Sequence, residues 1–206
     1  IDKDTGDYDR WSTRGKLVFL PNDKLEIILS GDAAQSNSNS PLFVNASLPP
    51  FTSQQNFEAS DEVEFWGTAL TVNYDLDADY TFTSLTSYRN AEYATVYDDD
   101  ITPLNILTSN FDEDSDQFSQ ELQMVGSVDN VEYAVGLYYF SDEGKNRSTR
   151  YAAQPIGSIS AVNYDNETEA WAIYGQTTIR PEMFDDKLAL TFGYRYTEEE
   201  KDIKYL

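Results

Sequence analysis

Residues 188–197, with the sequence LALTFGYRYT, alternate between two kinds of side chain. One set is apolar and has tyrosines at one end: Leu188, Leu190, Phe192, Tyr194 and Tyr196. The other set is small, polar or charged: Ala189, Thr191, Gly193, Arg195 and Thr197. Side chains two residues apart share a face of a β-strand, so this pattern predicts a strand with one apolar side. Its length also suits a tilted strand that crosses a bilayer.

The same alternation recurs along the chain. Examples begin at Leu17, Trp66, Phe118, Tyr133 and Trp171, although Gln120 interrupts one apolar face. The faces of residues 80–90 are not assigned by this pattern. Allowing for errors of a few residues at each end, we predict eight strands, over residues 14–20, 24–31, 64–74, 79–92, 117–126, 131–141, 169–180 and 187–198.

The connections between these strands alternate in length. Those at 21–23, 75–78, 127–130 and 181–186 are short, and those at 32–63, 93–116 and 142–168 are long. Outer-membrane barrels have short periplasmic turns and long extracellular loops, whereas such long loops are uncommon in compact soluble domains. The sequence therefore predicts an all-β, antiparallel, up-and-down set of transmembrane β-barrel strands in the outer membrane.

The composition excludes several other classes. The chain has no Cys and no His, which removes disulfides, thiolate sites, His-ligated zinc and Ser-His-Asp hydrolysis. A net charge of −23 disfavours nucleic acid binding. No apolar run is long enough for a transmembrane helix, and an aromatic content of 14% argues against disorder. We expect no enzymatic activity, no cofactor and no metal site.

Charged and amide side chains in the predicted strands indicate which face of each strand is turned away from lipid. Arg or Lys on a lipid-facing position costs about 2–4 kcal/mol at the bilayer midplane, so such residues should point into a barrel. The lumen-facing candidates are Lys16, Glu121, Gln123, Glu132, Arg180 and Arg195. Their expected role is to pair with each other across strands or to contact protein inside the barrel, with a direct part in ligand passage as the alternative.

Tyrosines near the predicted strand ends suggest an aromatic girdle, because Tyr buries its ring while its hydroxyl stays hydrated at a membrane interface. The girdle candidates are Tyr74, Tyr80, Tyr88, Tyr194 and Tyr196. The alternative interpretation is that aromatic residues favour strands in any β protein.

Two acidic runs flank the second long connection. They are Asp98–Asp100 and Asp112–Asp114 followed by Asp116. Solvated loop charge is the simplest interpretation. The alternatives are a hard cation held by carboxylates, a bridge through divalent ions to lipopolysaccharide, or a cationic ligand.

Several segments resemble TonB-dependent receptors. They include FSQELQM at 118–124 followed by GLYYF at 136–140, and AIYGQTT at 172–178 followed by residues 188–197. The segments RGKL at 14–17 with PND at 21–23, and TSLTSYR at 83–89, are similar to the same family. The resemblance covers most of the strands and few of the long connections.

The resemblance implies a 22-stranded barrel with an N-terminal plug, and uptake of a scarce nutrient such as an iron–siderophore across the outer membrane of a Gram-negative bacterium. It also implies contact with the TonB complex, outer-membrane lipid, lipopolysaccharide and a small ligand such as a metal chelate. The chain contains neither a recognisable plug nor a TonB box. Residues 1–206 are thus expected to be a partial barrel domain.

Two alternatives stay open from the sequence. One is a complete small barrel of about eight strands that serves adhesion or anchoring, and the other is a soluble β-sandwich that binds carbohydrate. A sandwich would bury Leu188, Leu190, Phe192 and Val135 between two sheets, whereas a membrane barrel would leave them on an outer belt.

Overall fold

The chain forms a single antiparallel β-sheet. The computed structural model describes residues 7–39, 47–49, 52–57, 59–77, 79–152, 157–184 and 187–206. Eight strands lie side by side in sequence order. They are β1 (Tyr8–Asn22), β2 (Leu25–Ser38), β3 (Ser60–Asp75), β4 (Tyr80–Asp98), β5 (Leu107–Val128), β6 (Val131–Ala152), β7 (Gly157–Ile179) and β8 (Leu190–Tyr205). One turn of 3₁₀ helix, Glu182–Phe184, precedes β8. Among the described residues, helices long and apolar enough to span a membrane are absent.

The strand register places like side chains opposite one another. Leu17 pairs with Leu29, and Leu29 pairs with Leu70 on the next strand. Leu137 of β6 lies between Leu122 of β5 and Ile173 of β7. Paired residues in a sheet point to the same face, so these pairings place apolar side chains of β1–β3 and of β5–β7 on one face, with Ser84, Thr86 and Gln120 between them.

The sheet is open. In the part of the chain that the structure describes, β1 packs only against β2, and β8 packs only against β7. A β-sandwich needs two stacked sheets, and a closed eight-stranded barrel needs β1 to pair with β8, so both alternative folds are wrong. Val135, Leu190 and Phe192 remain 47%, 42% and 64% exposed.

The eight predicted strands are confirmed, but their ends away from the short connections are wrong. β4 runs to Asp98 and β5 begins at Leu107, so most of the predicted 93–116 loop is strand. Strand likewise occupies most of 142–168, although residues 153–156 lie outside the described part. In the predicted 32–63 loop, strand ends at Ser38 and resumes at Ser60, and part of the stretch between them lies outside the described residues.

Several glycines allow long side chains to cross a strand. A Cβ at Gly136 on β6 would lie 2.3 Å from Tyr174 Cζ, because the Tyr174 ring of β7 covers that glycine. A Cβ at Gly67 on β3 would lie 3.2 Å from Arg89 Nε. Arg89 of β4 reaches over this glycine to Asp32 of β2. Across these two glycines, side chains contact residues two strands away as well as residues on the adjacent strand.

We predict that Gly136→Ala destabilises the full-length protein by about 1–3 kcal/mol, because the new methyl group displaces the Tyr174 ring. Gly175→Ala on the neighbouring strand is the matched control, since its Cβ would meet Val135 at an ordinary 3.6 Å. Urea unfolding of both variants measures the difference. Equal effects of the two substitutions would contradict the bridging role of Gly136.

A second prediction follows from the open edges. Residues 1–206 expressed alone should self-associate or aggregate, since β1 and β8 each present an unpaired row of backbone groups. Size-exclusion chromatography in detergent tests this expectation. A stable monomer would show instead that the two edges find partners within the chain.

Candidate functional site

One face of the sheet carries an apolar belt in the half nearest the short connections. The belt consists of Leu17, Phe19, Ile27, Leu29, Leu70, Val72, Phe82, Leu122, Met124, Val135, Leu137, Ile173 and Phe192. On interior strands, Leu137 is 54% exposed and Ile173 is 49% exposed. In β3 the belt residues are more exposed than the residues that alternate with them, which is the reverse of a soluble protein.

Aromatic side chains form a row at the belt edge farther from the short connections. This upper aromatic row consists of Trp66, Tyr88, Phe118, Tyr139, Trp171 and Tyr196. The rings meet in pairs across neighbouring strands: the centroids of Trp66 and Tyr88 are 5.3 Å apart. The ring centroids of Phe118 and Tyr139 are 6.3 Å apart, and those of Trp171 and Tyr196 are 5.5 Å apart. At the opposite edge, the rings of Tyr80 and Tyr133 are 6.2 Å apart.

All five tyrosines proposed as girdle residues lie on the belt face. Tyr88 and Tyr196 belong to the upper aromatic row, and Tyr74 and Tyr80 flank the short β3–β4 connection. Tyr194 lies inside the belt, two residues closer to the β7–β8 connection than Tyr196. The sequence-based selection missed four members of the row: Trp66, Phe118, Tyr139 and Trp171. The signal that identifies them is a change from apolar to acidic residues along the same face.

Beyond the upper aromatic row the two faces exchange character. The belt face becomes an acidic surface formed by Glu62, Glu64, Glu92, Asp114, Asp116, Glu143, Glu167, Glu169, Glu198 and Glu200. The opposite face carries rings here, with Tyr93 and Phe111 5.7 Å apart and Tyr164 and Tyr205 5.9 Å apart. Burial raises the pKa of Tyr93, and a hydrogen bond to Asp61 raises it further. The belt therefore has a sharp limit along each strand.

The face opposite the belt, here called the polar face, carries all six residues predicted to face a lumen. Lys16 lies on the edge strand β1, and Glu121, Gln123 and Arg195 lie on β5 and β8. Glu132 and Arg180 form an ion pair beside the short connections. The structure thus brings Glu132 together with Arg180, and Glu121 together with Gln123, but leaves Lys16 apart.

A tyrosine joins two of these candidates. Tyr174 Oη donates a hydrogen bond to the Glu121 carboxylate and accepts one from Gln123 Nε2 at 3.0 Å. The guanidinium carbon of Arg195 lies 5.7 Å from the Tyr174 ring centroid and 5.5 Å from that of Tyr138. Neither tyrosine was among the lumen-facing candidates chosen from the sequence. Alternation nevertheless places Tyr138 on the same strand face as Glu132, and Tyr174 on the same strand face as Arg180.

Hydrogen bonds continue across the polar face on the other strands. Asn73 Nδ2 donates to Glu26 at 2.8 Å, and Thr83 Oγ1 donates to Asn73 Oδ1 at 2.9 Å. Arg89 Nη2 lies 3.1 Å from each carboxylate oxygen of Asp32. This ion pair is partly exposed and contributes about 0–1 kcal/mol. Hydrogen bonds and ion pairs thus join polar side chains of different strands across the polar face.

The carboxylates of the first acidic run are bound by backbone donors and by an arginine. Asp98 is fully buried and accepts backbone hydrogen bonds from Asn56, Asp100 and Ile101, each at 3.1 Å. Asp99 pairs with Arg150 at 2.9 Å. The interpretation of Asp98–Asp100 as solvated loop charge is therefore wrong, because each carboxylate holds the β4–β5 connection in place.

Asp100 completes this anchoring. Its carboxylate accepts backbone hydrogen bonds from Leu107 at 2.7 Å, from Ile106 at 3.2 Å and from Thr102 at 3.1 Å. Partial burial raises the pKa of Asp100, but hydrogen bonds from these donors and from the Thr102 hydroxyl outweigh it, and the pKa lies below its usual value. Within the described residues, no group of three or more carboxylates is arranged to hold a metal ion.

Comparison with solved structures shows the same fold at low sequence identity. The ferric yersiniabactin uptake receptor FyuA from Yersinia pestis matches 97% of this chain with a TM-score of 0.70 and 15% identity. The siderophore receptor PiuA from Acinetobacter baumannii matches 99% with a TM-score of 0.70 and 14% identity. BauA, the ferric preacinetobactin receptor from the same species, matches 98% with a TM-score of 0.65 and 11% identity.

The chain spans about a third of the length of these structures, covering 34% of FyuA, 37% of PiuA and 36% of BauA. No curated protein sequence matches it. The sequence model described as "TonB dependent receptor-like, beta-barrel" matches residues 1–205. With nearly its whole length matched, and with eight up-and-down strands as its fold, the chain belongs to the TonB-dependent receptor β-barrel family.

Proposed function

We propose that the chain is part of the wall of an outer-membrane receptor that takes up a scarce nutrient, such as an iron–siderophore complex, with energy delivered through TonB. The observation that carries this proposal is the exposed apolar belt, which ends at an aromatic row and is followed by acidic residues on the same face. In water such a belt is unfavourable, but against lipid it is the stable arrangement.

The dimensions of the belt support a membrane position. On β6 the belt face runs from Val131 to Tyr139, which is nine residues. A tilted transmembrane strand needs about 9–11 residues to cross the hydrocarbon core. Trp and Tyr at the upper limit, and Tyr at the lower limit, suit the two interfaces, where a ring is buried and its polar group is hydrated. The Tyr girdle is thus the proposed role of Tyr74, Tyr80, Tyr88 and Tyr196, with Tyr194 between them.

The polar face is the proposed lining of the barrel. Lys16, Glu121, Gln123, Glu132, Arg180 and Arg195 would then face water, a plug or a passing ligand. Glu132 and Arg180 neutralise each other within the wall, so their proposed role is structural. Residues 1–206 would supply part of the barrel domain, and segments outside this chain would supply the plug and the contact with TonB.

The proposed ligand class rests on the neighbours, which include receptors for ferric yersiniabactin and ferric preacinetobactin. The proposed lipid partners rest on the geometry of the outer face. Under this proposal the belt contacts hydrocarbon, the upper aromatic row lies at an interface, and the acidic surface lies beside lipopolysaccharide headgroups. The short connections would then lie on the periplasmic side.

We predict that Val135→Arg destabilises the full-length protein in lipid vesicles by about 2–4 kcal/mol, the cost of a cation on the lipid side of a barrel. Ala134→Arg is the matched control, since Ala134 is adjacent in sequence but lies on the polar face. Urea unfolding measures both. In a soluble protein, Arg at the exposed Val135 would be nearly neutral, so equal stabilities would contradict the membrane position.

The uptake function has a separate test. Cells of a Gram-negative strain that lacks its own siderophore receptors should accumulate radiolabelled iron from at least one member of a panel of ferric siderophores when they express the full-length protein. Accumulation should disappear when TonB is deleted. Uptake that persists without TonB would contradict energised transport, and an absence of uptake across the panel would contradict the iron–siderophore assignment.

A further inference from the structure

The apolar belt is interrupted on β3, β4 and β5. Two positions from the upper aromatic row toward the short connections, the belt face carries Thr68, Thr86 and Gln120, here called the polar band. At the same level, β6 and β7 carry Leu137 and Ile173. Each of β3, β4 and β5 has a hydrogen-bonded strand on both sides, so the interruption is a property of the interior of the sheet and is independent of its edges.

Hydrogen bonds fix the amide of Gln120 within the polar band. Thr86 Oγ1 donates to Gln120 Oε1 at 2.6 Å. Gln120 Nε2 donates to Ser84 Oγ and to the backbone oxygen of Glu121, each at 3.1 Å. An amide oxygen has two lone pairs, and here it accepts the bond from Thr86. Gln120 Oε1 can therefore accept a second hydrogen bond without reorienting, so a group that donates an N–H or O–H fits this position.

Below the polar band, the belt face offers space for a hydrocarbon chain. Ser84 of β4 lies between Val72 of β3 and Leu122 of β5. A short side chain flanked by two larger apolar ones leaves a shallow groove along β4. An acyl chain in this groove would contact apolar side chains on both sides and gain dispersion energy from each.

Above the upper aromatic row, the same three strands carry negative charge. Glu64, Glu92 and Asp114 lie directly opposite one another on β3, β4 and β5. They line a surface depression of about 410 Å³, which Lys145 also borders. Lys145 Nζ lies 3.9 Å from the Asp114 carboxylate. Like charges directly opposite one another destabilise a sheet, so an added amine would be favourable here, whereas a phosphate would be repelled.

We infer that the belt face of β3–β5 binds a membrane lipid that has an amine in its headgroup and an amide or hydroxyl donor where its acyl chains begin. The inference rests on the proposed function, since it requires the belt to face lipid. Carboxylates, polar band and groove follow one another in the order of amine, donor and hydrocarbon in such a lipid. A second copy of the chain is an unfavourable occupant, because a twofold contact here would bring Glu64 and Glu92 of both copies together.

Native mass spectrometry of the full-length receptor in detergent tests this site. The probe is an ornithine lipid, which carries a primary amine and an amide-linked acyl chain. The reference is dioleoylphosphatidylcholine, whose acyl links are esters and which has no N–H or O–H donor. We expect the first ornithine lipid to bind about fivefold more tightly than the first phosphatidylcholine, which is the effect of one net hydrogen bond.

Substitutions locate the binding. Gln120→Leu removes the acceptor and should abolish the preference, and Glu92→Gln should weaken binding of the ornithine lipid. Thr86→Val frees the Gln120 amide to turn and should also reduce the preference, so it keeps the test valid if Gln120→Leu does not fold. The matched controls on the belt face of β7 are Thr177→Val and Glu167→Gln, which remove the same groups elsewhere and should leave the preference unchanged.

Four results would overturn the inference. They are equal affinity for the two lipids, a preference that survives both Gln120→Leu and Thr86→Val, an equal loss in the β7 controls, and a receptor dimer that Gln120→Leu dissociates. The last result would assign the polar band to a contact between copies. All four leave the expected cost of Val135→Arg in lipid unchanged, so failure of this site is distinguishable from failure of the proposed function.

Discussion

The structure depends on the strand register, which keeps the apolar side chains of all the strands on one face. A slip of one residue in any pairing would turn a whole strand over and place Arg195 or Glu121 on the belt side. The register is also staggered. The row of paired residues that begins at Leu25, the first residue of β2, ends at Tyr194, four residues after β8 begins at Leu190. Such a shear is required for strands that tilt around a barrel.

Sequence alternation predicts the half of each strand that lies in the belt and fails beyond it. Within the belt, one face must be apolar and the other polar, so Leu122, Leu137 and Phe192 give a clear period of two. Beyond the upper aromatic row, acidic residues replace apolar ones on the belt face. Backbone pairing continues, for example from Asp114 to Lys145, but the hydrophobic signal that identifies a strand is lost. Runs such as Asp112–Asp114 consequently look like loop.

On the polar face, the sequence pattern predicts which side chains share a face, but only the structure reveals which of them are in contact. Alternation alone places Glu121, Gln123 and Arg195 on one side, and the structure agrees. The contacts between them depend on Tyr174, which reaches Gln123 only because Gly136 leaves room for its ring. That contact joins residues 51 positions apart in sequence. No local pattern reports such a contact, so the role of Tyr174 was not predictable.

The three aspartates of the β4–β5 connection have a consequence for motion. Asp98 and Asp100 hold the backbone of residues 99–107 from inside, and Asp99 ties its start to Arg150 on β6. All three carboxylates therefore bind donors at this hairpin tip. Moving the tip as a lid would require those hydrogen bonds and the ion pair to break. The β4–β5 connection is therefore expected to exchange its backbone amide hydrogens more slowly than a connection without such bonds.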